Sequence, residues 1–215
     1  MLGTEMVDLY VGPDKEHFRV HKAVLCSEIP YFDKMFNGGF SEASSNTATF
    51  PEDHGKAFDL LLGWVYGGDL IVTEEETRGD NPIMGSLIEL SKLAHKLCLP
   101  PLEDRVVDMV RNIYRSRYAW PKSSRFLMVY STLRESCGMR KYFAHCFAYL
   151  TLETNEHWPI SGDEGLADAM IKSVDLTQDV LTILRASGGK VSSPNEVPDC
   201  NFHYHAEGEP CYKDK

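Results

Sequence analysis

Val7-Asp8-Leu9-Tyr10-Val11, then Gly12-Pro13-Asp14-Lys15, then His17-Phe18-Arg19-Val20-His21-Lys22 is the stretch on which the reading of the fold turns. Val7, Leu9 and Val11 fall on one face of an extended chain, the period expected of a half-buried strand. Gly12 to Lys15 supplies turn chemistry and the alternation resumes at His17, so the segment is predicted to form a β-hairpin. From His21 to Ser27 the pattern changes to a short apolar helical run. Pro30 suits the first turn of a second helix, Tyr31 to Phe36, which Asn37-Gly38-Gly39 ends.

Outward from there, Thr47-Ala48-Thr49-Phe50 reads as a third strand, closed by Pro51. His54 to Tyr66 carries the helical stripe Ala57, Leu61, Leu62, Val65 and stops at Gly67-Gly68. Leu70-Ile71-Val72 reads as a brief extended piece, and the acidic run 73–83, with Gly79 and Pro82, as a surface loop. A helix over 83–99 ends at Pro100-Pro101, and another runs through Leu102, Val106, Val110 and Ile113. Trp120-Pro121-Lys122-Ser123-Ser124 reads as a boundary between modules. Four amphipathic helices follow, marked by Phe126/Leu133, Tyr142/Leu150, Leu166/Ile171 and Leu176/Leu184, with Gly188-Gly189 capping the last. Strands first and helices afterwards predict an α+β fold.

Bulk properties narrow the function. In 215 residues, 43% are hydrophobic and 25% charged, ordinary values for a globular chain. The net charge of −10 is uneven: residues 1–104 hold 8 basic against 18 acidic side chains, residues 105–150 hold 9 against 2, and residues 151–215 hold 5 against 12. The acidic first part repels phosphate backbones. The basic 105–150 segment is the one candidate nucleic-acid patch, and at helical spacing its residues read as solvated faces paired with acidic neighbours. The start of the chain carries no basic, apolar leader and no stretch reaches the roughly 18 apolar residues of a membrane span. The expectation is therefore a cytoplasmic or nuclear protein without membrane association. Cys26, Cys98, Cys137 and Cys146 fall within apolar helical patterns and are expected to be buried free thiols.

The ordered set Asp8-Leu9-Tyr10-Val11-Gly12, Phe18-Arg19-Val20-His21-Lys22-Ala23-Val24-Leu25-Cys26-Ser27, Tyr31-Phe32-Asp33-Lys34-Met35-Phe36, Phe40-Ser41-Glu42, Phe50-Pro51-Glu52-Asp53 and Tyr66-Gly67-Gly68 resembles a BTB/POZ domain of the fungal type. The resemblance spans residues 5–118 and implies a small three-stranded sheet flanked by a cluster of helices. Residues 123–187 resemble the all-α extension that follows many such domains, and 188–215 form a polar tail. By the same resemblance Asp8 and Lys22 match a charged pair lining the groove of a homodimer, and His21 is a packing and hydrogen-bonding residue. Phe40-Ser41-Glu42 has the hydrophobic-x-Glu form that contacts a cullin scaffold in ubiquitin-ligase adaptors, with Phe40 as anchor and Glu42 beside it. Little chain precedes Asp8, whereas members that exchange an N-terminal strand carry a longer lead, so a strand-swapped dimer is not implied.

In the tail, Cys200, His203, His205 and Cys211 place two thiols and two imidazoles close together in sequence, the ligand chemistry of structural zinc. The competing reading is an ordinary polar tail with two cysteines. No Gly-rich phosphate loop, G-x-S-x-G elbow, H-E-x-x-H or kinase motif occurs, so no catalytic residue is assigned. The functional expectation is a non-enzymatic protein–protein interaction module without a bound cofactor other than that candidate zinc. Its concrete form is a substrate adaptor for a cullin-type ubiquitin ligase. The alternatives are a homo-oligomeric scaffold or nuclear co-regulator and, from another class, nucleic-acid binding through residues 105–150. With no kelch or zinc-finger array in view, a client would be read by the helical extension or the tail.

Overall fold

The computed structural model describes residues 3–77, 83–152, 163–204 and 210–214. The chain divides into two compact units, residues 1–102 and 103–215.

In the first unit, β1 (Met6–Val11) and β2 (Glu16–His21) form the expected hairpin, with Val7 opposite Val20 and Leu9 opposite Phe18. β3 (Thr47–Phe50) joins the other edge of β1 in parallel, giving the order β2-β1-β3. Alternation puts Val7, Leu9 and Val11 on the buried face with Ala48 and Phe50. That face is covered by helices. α1 (Lys22–Glu28) buries Leu25, and α2 (Pro30–Asn37), with Pro30 at its first position, buries Phe32 and Phe36. α3 (Ser41–Ser45) is short and exposed. α4 (Gly55–Gly67) contributes Phe58 and Leu61, and the rings of Phe32, Phe50 and Phe58 meet at 5.8 and 5.1 Å. α6 (Ile83–Lys96) buries Leu87, Ile88 and Leu90 on the same core, following the short α5 (Glu74–Thr77).

Two local expectations are corrected here. The acidic run opens with α5 where a loop is expected. Thr73 Oγ1 accepts the Glu76 backbone N–H at 3.3 Å while the Glu76 carboxylate accepts the Thr73 backbone N–H at 3.0 Å, a reciprocal cap that starts a helix without any apolar stripe. The rest of that run, 78–82, lies outside the described residues. Of the four thiols expected to be buried, Cys137 and Cys146 are, Cys26 is half-buried and Cys98 is exposed. Cys98 terminates α6 in the left-handed region (φ 58°), a turn that lifts its side chain off the apolar face.

The helix α7 (Pro100–Ser116) begins in the first unit and belongs to the second from Glu103 onward. The division between the two compact units thus falls inside α7, and residues 120–124 lie within the second unit. Val106, Val107, Val110 and Ile113 are core residues, and the rings of Trp120 and Tyr149 meet at a tilt with centroids 5.3 Å apart. α8 (Ser123–Thr132), α9 (Gly138–Leu152), α10 (Asp163–Lys172) and α11 (Val174–Ala186) are the four helices the periodicity predicts. α9 is the centre, with Tyr142, Phe143, Cys146 and Phe147 almost fully buried, and Phe126 of α8 standing edge-on to Phe147 at 4.9 Å. Burial pushes the Cys146 thiol up to about 12.

The residues after α11 are not a detached tail, because they return to α7 and α9. Phe202, in a 3-10 turn over Asp199–Phe202, is 3% exposed and packs edge-on against Tyr142 at 5.5 Å. Arg111 of α7 donates to the carbonyls of Pro194 (2.7 Å) and Val197 (2.8 Å) and to the Asp199 carboxylate. Gly138 at the start of α9 admits this segment, since a Cβ there would stand 2.0 Å from the Phe202 carbonyl oxygen.

Candidate functional site

In the first unit the segment between α2 and β3 presents the candidate contact. α2 ends against Gly38, where a Cβ would lie 2.2 Å from the Lys34 carbonyl oxygen, so the chain turns there because no side chain intervenes. Phe40 then sits at the N-cap of α3 in extended conformation, and its carbonyl accepts the Ala43 N–H at 3.1 Å. Its side chain is 63% exposed, against 0–1% for Phe32 and Phe36 on α2. Phe40 therefore does not pack back onto its own domain. Glu42 is half-buried beside it and accepts a hydrogen bond from the Ser41 hydroxyl at 3.0 Å. The anchor and the carboxylate stand together in one helical turn.

Asp8 and Lys22 are not paired with each other. The Asp8 carboxylate meets His17 Nε2 at 2.7 Å, and the His17 ring stacks on Tyr10 at 4.9 Å. Lys22 Nζ donates to Glu5 (3.1 Å) and Asn46 (3.2 Å). The physical reason is proximity. Asp8 lies on β1, where its direct cross-strand neighbour is Arg19 and His17 is two positions along the same face, while Lys22 opens α1 and reaches the chain just before β1. His21 is a structural residue: its backbone N–H donates to the Tyr66 hydroxyl at 3.0 Å, and that oxygen lies 2.8 Å from His21 Nδ1.

In the second unit the basic segment is partly internal. Arg111 and Arg140 are 5% and 4% exposed. Arg140 lies over the Tyr130 ring at 4.2 Å and reaches Asp175 at 3.3 Å and Asp179 at 3.6 Å. Two of the residues expected on a solvated face are thus buried guanidinium groups paired with half-exposed carboxylates.

Cys200, His203 and Cys211 are brought together, their ligand atoms all within 4.8 Å of one another. Cys211 Sγ is 3.3 Å from His203 Nδ1, and His203 Nε2 is 3.1 Å from Asp108 Oδ1. Asp108 is held in turn by the Tyr212 hydroxyl and, at 2.8 Å, by Lys213 Nζ. Burial works against the Asp108 anion, but the bonds from His203, Lys213 and Tyr212 outweigh it and hold the carboxyl down at about 2. His205, the fourth expected ligand, lies outside the described residues. Asp108 is the member of this cluster that motif reasoning misses. Its signal is that it is one of only two acidic side chains among residues 105–150.

The small three-stranded sheet with its helical cover agrees with the family that the sequence matches. The model of the BTB/POZ domain matches residues 1–114, and the chain belongs to that family. Its domain is a protein–protein interaction module, and the α+β fold carries a helical extension. The chain is 35% identical over 69 residues to Kelch-like protein 25 of Xenopus laevis, covering 32% of this chain and 12% of the relative. Kelch-like protein 2 of Homo sapiens is 28% identical over 93 residues, 43% of this chain and 16% of the relative. Kelch-like protein 26 of Danio rerio is 46% identical over 66 residues, 31% of this chain and 11% of the relative. The chain thus spans about a sixth or less of the length of these relatives.

Proposed function

We propose that this protein is a non-enzymatic adaptor that docks a cullin-type ubiquitin-ligase scaffold through Phe40 and Glu42, in the cytoplasm or nucleus. The observation that carries the reading is the exposed Phe40 side chain at the start of α3, next to the Glu42 carboxylate. A large aromatic left in water beside a carboxylate, on a turn that a glycine shapes, suits a protein contact, and interfaces are enriched in aromatic residues including Phe. Catalysis then belongs to the ligase, and a client is read by the second unit. Nucleic-acid binding through residues 105–150 is not favoured, because the buried Arg111 and Arg140 guanidinium groups are already paired with carboxylates of the same unit.

The test is capture of purified cullin by the wild-type chain against Phe40→Ala/Glu42→Ala. Phe40 is exposed, so the variant is expected to unfold within about 0.5 kcal/mol of wild type while losing at least tenfold in cullin affinity. A wild type that captures no cullin, or a variant that binds equally well, sinks the reading. Concentration-dependent self-association in light scattering, with no cullin capture, would favour the homo-oligomeric scaffold instead.

A further inference from the structure

We propose that Cys200, His203 and Cys211 bind a structural zinc ion that clasps the C-terminal segment onto α7, with Asp108 orienting the histidine. Tetrahedral zinc takes thiolate sulfur at about 2.3 Å and imidazole nitrogen at about 2.0 Å, which sets two ligand atoms about 3.6 Å apart. The three ligand atoms lie within 4.8 Å of one another and the closest pair is at 3.3 Å, so sub-ångström adjustments bring all three onto one ion.

Two features separate this cluster from three side chains that merely meet. The first is the arrangement around His203, whose side chain is fully buried. Nδ1 faces the Cys211 sulfur while Nε2 faces a carboxylate that Tyr212 and Lys213 hold in place. With the Nε2 proton donated to Asp108, the Nδ1 lone pair points at the thiols. Metal-binding histidines are oriented in this way by a partner carboxylate. The second is what the segment lacks. Among the described residues after Lys190, Pro194, Phe202 and Cys211 are the only buried apolar side chains, and short segments with so small a core are commonly closed by a metal or a disulfide. Two thiolates and one imidazole leave one tetrahedral corner for a further donor, and soft sulfur with nitrogen selects zinc over magnesium or calcium.

The full chain, produced without a histidine tag and dialysed against metal-free buffer, is expected to retain about one zinc per molecule. Cys200→Ser/Cys211→Ser is expected to retain less than a tenth of that. Because this variant can lose its fold, two further readings stand beside it. Cobalt added to metal-free wild type is expected to give a thiolate-to-metal absorption band that zinc abolishes. Asp108→Asn, which keeps every ligand, is expected to weaken zinc binding tenfold or more. Absence of zinc from the wild type, equal zinc in the double variant, or a cobalt spectrum without the thiolate band overturns the proposal. So does a Cys200–Cys211 disulfide in protein purified under reducing conditions.

Discussion

Gly138 and Phe202 are in backbone contact: the place a Cβ at 138 would occupy is 2.0 Å from the Phe202 carbonyl oxygen and 3.3 Å from the Val107 side chain. Helix propensity alone favours Gly→Ala by about 1 kcal/mol. Here the obstacle is backbone, which cannot swing aside as a side chain can, so the collision decides the sign. Gly138→Ala is expected to destabilise the protein by about 1–3 kcal/mol and to speed amide exchange at residues 199–203. A raised unfolding temperature with unchanged exchange would contradict the contact.

Arg111 makes a second prediction. Its guanidinium is 5% exposed and serves two carbonyls and one carboxylate. Arg111→Ala strips three acceptors of their donor and is expected to cost about 2–4 kcal/mol, chiefly for leaving the Pro194 and Val197 carbonyls unsatisfied. Asp199 is half-exposed and Asn keeps its acceptor oxygen, so Asp199→Asn should cost about 1 kcal/mol or less. Denaturant unfolding of the two variants measures the contrast. Equal losses would mean the carboxylate, and not the carbonyl pair, dominates.

Cys98 offers a stabilising change. Its N–H bonds the His95 carbonyl at 3.0 Å and the Leu99 N–H bonds the Ala94 carbonyl at 2.9 Å, closing α6 with Cys98 in the left-handed region. Gly188 holds the equivalent place after α11. An L-residue there costs about 1–2 kcal/mol, and part of the relief is offset by the greater chain entropy of glycine. Cys98→Gly is expected to raise the unfolding free energy by about 0.5–1 kcal/mol and the midpoint with it. A fall in the midpoint would show that the cysteine side chain makes a contact worth more than the strain.

Thiol reactivity supplies the pH-dependent prediction. Burial pushes the Cys146 thiol up to about 12 and raises that of Cys137. Only the thiolate attacks an alkylating reagent, so at pH 8 both should stay protonated and unlabelled in the folded chain. Exposed Cys98 should label before either of them. Peptide-resolved mass spectrometry after brief alkylation checks the order. Labelling of Cys146 as fast as Cys98 without unfolding would exclude the burial described for it.

The hairpin, β3 and the long helices were legible because period-two and period-3.6 patterns each persist for several residues there, from Val7 to Val20 and from Leu87 to Leu97. α3 and α5 are too short to show a period, and α5 rests on the Thr73–Glu76 cap. Pro121 and two serines look like a linker, but the division of the compact units inside α7 follows from contacts between residues distant in sequence, which no local pattern shows. At the candidate site, the residue types of the zinc cluster were legible, but Asp108 was not, since only folding brings it to His203. The exposure of Phe40 likewise depends on how Gly38 turns the chain.

The hold of α7 on the C-terminal segment also orders events in time. Arg111 and Asp108 meet partners 83 to 104 positions further along the chain. During synthesis the first unit has all its residues once Leu102 has been added, whereas the second must wait for residues 194–213 with the guanidinium and carboxylate of α7 still facing water. A nascent chain therefore carries a complete first compact unit ahead of an unfinished neighbour, and that interval is when a chaperone would find it.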